Sequence, residues 1–278
     1  MTTRTPTRRR RRLGAELRRL REAAGLTIDR VAEALECSQS KVSRIETGQV
    51  SATPRDVRDM LELYQVDDAQ LEAMVQIARE ARQRGWWYRF VDVPDGVPAY
   101  VGLEAAATSI DIYMSLIVPA LLQTADYARA VISGVRPDLP AEEIARRVEL
   151  RMSRQELLDQ DNPPALRVLL DDTVLRRPVG GPQVMGRQLR RLVEAGARPA
   201  VTLQVLPIGT GAHAGMDGPF TIFGFPAPAE PDVVALDSAA DALYLESAED
   251  LRRYRRVFER LLPSALTPEE STAFIAGL

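Results

Sequence analysis

The chain has 278 residues, 45% hydrophobic and 27% charged, which is enough apolar material for a substantial core and a length that favours two domains. No apolar run approaches the roughly 18 residues that span a bilayer, and the arginine-rich start leads into a charged helical pattern instead of an apolar signal core, so a soluble cytoplasmic protein is expected. The single cysteine, Cys37, leaves no internal disulfide and the single histidine, His213, no zinc constellation, so no metal and no cofactor are expected.

The net charge of −3 is unevenly spread. Residues 1–60 carry 14 Lys+Arg against 8 Asp+Glu, the rest of the chain 22 against 31. The basic end opens with residues 1–12, read as a flexible arm whose run Arg8 to Arg12 either follows nucleic-acid phosphates or is a solvated tail. Leu13 to Gly25 reads as a helix with Leu13, Leu17 and Leu20 on one face. Thr27 then serves as an N-cap before Ile28, Val31, Ala32 and Leu35, again at helical spacing. The pattern stops at Glu36-Cys37-Ser38 and restarts from Ser38, a second N-cap, with Val42 and Ile45 inward and Gly48 as C-cap. Outward on this second short helix lie Gln39, Ser40, Lys41, Ser43 and Arg44, all hydrogen-bond donors suited to base edges and phosphates. A helix from Pro54 to Val66 follows, with Val57, Leu61 and Tyr64 inward. Another runs from Asp67 to Arg84, with Leu71, Met74, Val75 and Ala78 as its stripe and Gly85 at its end.

This order of helices, with Arg21 and Glu46 placed where an arginine pairs with the Glu of an R-I-E triplet, resembles the Xre/Cro/lambda-repressor class over residues 13–66. The resemblance implies a recognition helix from Ser38 to Thr47 lying in the major groove. Thr27, Ser38, Gln39, Ser40, Lys41, Ser43, Arg44 and Thr47 become its DNA-binding positions, and Arg21 and Glu46 a structural pair. The planar fork of Arg44 suits the O6 and N7 acceptors of guanine, and Lys41 suits a phosphate. Two departures stand out: neither Thr27 nor Ser38 has a Glu three residues on, and Ile28 replaces the Gln many members carry.

Residues 85–98, with Trp86-Trp87-Tyr88 and a Pro/Gly-marked stretch, read as a junction whose aromatics stack on bases, fill a ligand pocket or pack one domain on the next. Beyond it, Leu103 to Met114 and the stretch through Pro119, Leu122 and Tyr127 read as largely helical, as does Ala141 to Gln160. Four strands are expected, at 166–175, 201–208, 220–226 and 232–237, with helices at Gln183 to Ala195, Ala248 to Leu262 and Pro268 to Ala276. The fold class is therefore an all-α N-terminal helix-turn-helix domain plus an α+β C-terminal domain, a sheet of about four strands with covering helices. The expected division is a basic arm 1–12, a helix-turn-helix domain with trailing helix 13–84, the junction 85–98, and a mixed effector or partner-binding domain 99–278.

The stretches VPALLQTADYARAVI, RRVELRMSRQELL, RRPVGGPQVMGRQLRRL, VTLQVLPIGTGAHAGMDGPFTI and LYLESAEDLRRYRRVFERL resemble an actinobacterial family of Xre-type regulators with a Scr-type antitoxin-like C-terminal domain. That resemblance implies a regulator whose C-terminal domain engages a small partner protein or a signal. It supplies no catalytic residues. The glycine-rich segment 209–218 lacks the dinucleotide fingerprint and precedes a strand, and no G-x-S-x-G elbow occurs, so no enzyme activity is expected. His213 and Asp217 in that segment, with Arg176 and Arg177 in RRPVGG, are candidates for a ligand or partner loop. The bland alternatives are a surface histidine and a chain turn. The expected partners are double-stranded DNA with a palindromic operator, a second copy of the chain in a homodimer, and a small partner protein, with no membrane and with nucleoid association when bound. The expected function is sequence-specific transcriptional regulation. An antitoxin-like protein that sequesters a partner and autoregulates is the alternative.

Overall fold

The computed structural model describes residues 8–47, 50, 52–82, 97–226, 232–237 and 242–278. Gly48, Gly85 and the Trp86-Trp87-Tyr88 triplet lie outside them. The chain divides into two compact units, Met1–Gly102 and Leu103–Leu278.

The first unit is helical: α1 (Arg8–Ala23), α2 (Ile28–Ala34), α3 (Gln39–Glu46), α4 (Pro54–Leu63) and α5 (Asp68–Arg82). The apolar stripes read from the sequence meet in one core, where Leu17, Val31, Val57, Met60, Leu61, Val75 and Ala78 are wholly inaccessible. Each of these larger than alanine contributes about 1.5–3 kcal/mol by leaving water. α1 begins five residues earlier than expected. Arg8 to Arg12 belong to its first turns and not to a flexible arm, because arginine is a good helix former and nothing in the run breaks the pattern.

Three of these helices end in the same way. After α1, α2 and α4 the chain turns through a left-handed residue, Gly25 (φ 69°), Glu36 (φ 48°) and Gln65 (φ 56°). In each case the next amide reaches back to the carbonyl five residues earlier: Leu26 to Arg21, Cys37 to Ala32, Val66 to Leu61. The paired bonds of this motif satisfy the orphan carbonyls of a helix end. α1 and α3 also approach closely. A Cβ on Gly14 would stand 2.4 Å from the Ile45 carbonyl oxygen and 2.5 Å from that of Glu46.

The helix α6 (Val97–Ala106) crosses the boundary into the second unit. There a six-stranded sheet runs in the order β3-β2-β1-β4-β5-β6. It comprises β1 (Ser109–Met114), β2 (Ala165–Asp171), β3 (Val201–Leu206), β4 (Phe220–Gly224), β5 (Val233–Asp237) and β6 (Ala242–Leu245). The first three strands are mutually parallel, and β4, β5 and β6 add antiparallel. The crossovers are α7 (Ala125–Val135) with α8 (Ala141–Gln155), then α9 (Asp172–Arg176) with α10 (Pro182–Gly196). α11 (Ala248–Leu261) and α12 (Pro268–Ala276) close the chain. α11 lies on β5, and α12 on β3 and α10.

The α+β class holds, but the sheet has six strands where about four were expected. Ser109 to Met114, expected to be helical, is instead the central strand β1. Its run S-I-D-I-Y-M is rich in β-branched and aromatic residues, and Ile110, Ile112 and Tyr113 are buried between neighbours on both sides. The edge strand β6 is only four residues long, too short to register as a period. The strand expected over 166–175 stops at Asp171, whose side chain accepts from the Thr173 amide at 2.9 Å and so starts α9.

Candidate nucleic-acid interface

The two helices of the turn are held by local chemistry. Thr27 Oγ1 accepts from the Arg30 amide at 3.3 Å and Ser38 Oγ from the Lys41 amide at 3.2 Å, so both expected N-caps form, each as a single bond without a reciprocal partner. The left-handed turn at Glu36 then sets α3 against α2. From the far side, Arg21 grips Glu46 with two bonds, Nε to Oε1 at 2.6 Å and Nη2 to Oε2 at 3.0 Å, while its Nη1 donates to the Leu26 carbonyl at 2.8 Å. Both side chains are buried, and the bond to Glu46 raises the guanidinium further above its ordinary value. Losing one partner of such a pair costs about 3–5 kcal/mol because the other is left charged and dry. The Tyr64 hydroxyl is buried nearby with no hydrogen-bond partner among the described residues, and burial raises the phenol, with Glu46 adding to it.

On α3, Val42, Ile45 and Glu46 face the core. Gln39, Ser40, Ser43, Arg44 and Thr47 fall at i, i+1, i+4, i+5 and i+8 and form one continuous polar strip. Gln39, Ser40, Arg44 and Thr47 are exposed, and Ser43 is partly so. Thr47 bonds back to the Ser43 carbonyl at 2.9 Å, and Arg44 Nε rests on the Ser40 carbonyl at 3.1 Å. Lys41 sits at the margin of this strip. Its Nζ bonds Asp56 Oδ1 at 2.7 Å, which raises the ammonium and ties α3 to the start of α4. Asp56 also accepts from the Thr53 amide at 2.9 Å and completes a capping box with it. The T-x-x-D spacing before α4 is the signal that points to Asp56, and it lies in plain view at 53–56.

Other arginines of the unit whose side chains are described and reach solvent are paired: Arg18 with Glu22, Arg19 with Glu16, Arg30 with Glu33, Arg55 with Asp59 and Arg58 with Glu72. Among cations of the first unit whose side chains are described, Arg44 alone has no carboxylate partner. Among these described side chains, the positive charge free to meet a phosphate or a base edge projects from the polar strip.

The structure does not bring the four candidates of the second unit together by any hydrogen bond or ion pair among the described residues. Arg176 Nε lies 2.7 Å from buried Asp172, with its guanidinium over the Phe274 ring, and Arg177 and Asp217 are exposed. His213 is no surface side chain. It is 13% exposed, its Nδ1 accepts from the Gly215 amide at 3.2 Å, and its Nε2 faces Asp171 at 3.7 Å. The ring stands edge-on to Tyr113, whose phenol is pushed up to about 12 by burial and by Asp171. The bond at Nδ1 ties the ring to its own glycine-rich loop, and the ring sits beside the carboxyl ends of β1 and β2 through Tyr113 and Asp171. Among the described residues no helix is long and apolar enough to cross a membrane.

The capped helix pair, its left-handed turn and the outward polar strip define a helix-turn-helix protein. Residues 12–74 match a family described as a helix-turn-helix domain, which makes the chain a helix-turn-helix regulator. Residues 97–277, well over half its length, match a domain of unknown function (DUF5753), and the chain belongs to that family. No curated protein and no solved structure matches the chain.

Proposed function

We propose that the protein is a sequence-specific transcriptional regulator of the Xre/Cro/lambda-repressor class, binding a palindromic operator as a homodimer with α3 in the major groove. The observation that carries this reading is the strip Gln39, Ser40, Ser43, Arg44, Thr47, from which the one unpaired cation among the described side chains of the first unit projects. Arg44 is assigned a bidentate contact to guanine. Lys41, through Asp56, holds α3 against α4 and presents its remaining hydrogens to a phosphate. Arg21 and Glu46 act behind the interface by fixing the far end of α3. The reading head is placed in residues 13–84, and residues 99–278 are assigned regulation and dimerisation, without catalysis. A reading head this small buries little DNA surface, which favours two copies on half-sites one helical turn, about 34 Å, apart.

The test is selection of duplexes from a random pool by the full-length protein. Enrichment of an inverted repeat with that spacing is expected. A pool that stays random at moderate salt would overturn the reading.

A further inference from the structure

α11 presents two faces of opposite character. Leu251, Phe258 and Leu261 are buried and Tyr254 and Val257 partly so, all packed into the apolar cluster of the sheet with Phe220 and Val234. Ser247 Oγ caps the helix by accepting from the Asp250 amide at 3.1 Å, so α11 is held at its start and along its inner side. Turned away from this core are Arg252, Arg256 and Arg260, four residues apart in one row, with Arg253 beside the first. All four are exposed. At 1.5 Å per residue the row is about 12 Å long, with an arginine about every 6 Å.

Arginines elsewhere in this unit find carboxylates: Arg136 pairs with Asp138, Arg147 with Glu143, Arg167 with Asp111 and Arg187 with Asp126. On α11 itself Arg255, off the row, pairs with Asp232. Arg252, Arg253, Arg256 and Arg260 have no ion pair among the described residues, although Glu249 and Glu259 share the helix with them. Glu259 acts instead on Arg167 of β2, whose guanidinium stands 5.0 Å from the Phe258 ring. Glu249 sits in the first turn, where the positive end of the helix favours it. Arg256 Nε donates to the Arg252 carbonyl at 3.3 Å, a bond along the row that leaves its charge uncompensated. Like charges at this spacing work against a helix until anions face them.

We infer that the outer face of α11 is a contact surface for the phosphate backbone of double-stranded DNA, so that the second unit holds DNA without reading its sequence. Every residue of the row is charged. A protein partner needs an apolar centre depleted in charge, whereas DNA interfaces are polar and strongly positive. A duplex carries one negative charge per about 1.7 Å of axis, so a length matching the row presents about seven. Affinity from counterion release also needs several free cations. Among the described side chains of the first unit Arg44 alone lacks a carboxylate, and α11 supplies four more. The choice of DNA rests on the reading of α3, while the row itself belongs wholly to the second unit.

The test is the salt dependence of duplex binding by the full-length protein, on the selected operator and on random sequence, between about 50 and about 200 mM salt. Arg252→Gln, Arg253→Gln, Arg256→Gln and Arg260→Gln combined should flatten the log–log slope by about 3–4 on both duplexes and leave base preference unchanged. The four Lys substitutions at the same positions should retain the slope. So should Arg129→Gln, Arg136→Gln, Arg187→Gln and Arg190→Gln combined, an equal change of charge at exposed positions of α7 and α10. Where the glutamine set lowers the melting temperature, Arg256→Gln alone, at the middle of the row, should still flatten the slope by about 1. Poly-L-glutamate at equal ionic strength should bind at least about tenfold more weakly than random duplex. An unchanged slope, or an equal fall in the α7 and α10 set, overturns the inference, and poly-L-glutamate bound as tightly as duplex overturns it in favour of an acidic protein. Failure of the α3 reading is a separate result: no operator is then selected, and the slope on random duplex still decides the row.

Discussion

Gly14→Ala should destabilise the first unit, although helix propensity alone would favour alanine by about 1 kcal/mol. A Cβ at this position would stand 2.4 Å from the Ile45 carbonyl oxygen and 2.5 Å from that of Glu46, where ordinary contact begins at 3.4 Å. The obstacle is α3 backbone and cannot rotate aside, so α1 and α3 must part by about 1 Å. Overpacking of this kind costs about 1–3 kcal/mol, and the same displacement stretches the Arg21–Glu46 pair that joins the two helices at 2.6 Å. The net loss should be about 2 kcal/mol after the propensity gain. Native-state amide exchange on the full-length chain measures it directly, because local opening of α1 and α3 then speeds up by about 30-fold. Exchange as slow as in the wild type would refute the reasoning, since it would mean that the helices tolerate a methyl group between them.

Two further outcomes follow from the geometry of the reading head. Glu36→Gly should stabilise the unit by about 0.5–1 kcal/mol, because a side chain at φ 48° is strained and glycine is not, and a lower stability in urea melts would contradict the assigned turn. For Asp56, burial alone would raise the carboxyl, but the bonds from Lys41 and Thr53 outweigh it and leave the group below its ordinary value. A carboxyl depressed on folding stabilises above its unfolded value and loses that contribution as pH falls through the folded one. The wild type should therefore lose about 1 kcal/mol of cap energy below roughly pH 4 that Asp56→Asn lacks throughout, and parallel acid melts for the two proteins would exclude the effect.

The reading head was legible because its signals are local. Apolar residues at helical spacing, Thr27 and Ser38 as caps, and Pro54 at a helix start each act within a few residues. What the sequence reading missed depends on partners distant in the chain or on context. Lys41 looks outward on a helical wheel, yet Asp56, fifteen residues away, holds it. The run Ser109 to Met114 is ambiguous alone and becomes a strand because β2 and β4 flank it. Asp171 is the last residue of β2 and also the cap that starts α9, a double role that the run 166–175 does not announce. His213 lies in a loop, as its glycine-rich surroundings suggest, but is part-buried because Asp171 and Tyr113 reach it from strands about forty and about a hundred residues upstream.

The central claim is that the polar strip of α3 reads DNA sequence, and the most direct measurement compares Arg44→Ala with Lys41→Ala on the selected operator and on random duplex at several salt concentrations. Arg44→Ala should lose about 1–3 kcal/mol on the operator and relax preference at one base pair, with a smaller loss on random DNA. Lys41→Ala should weaken both duplexes alike and flatten the salt dependence. Equal losses on operator and random duplex for Arg44→Ala would contradict the account.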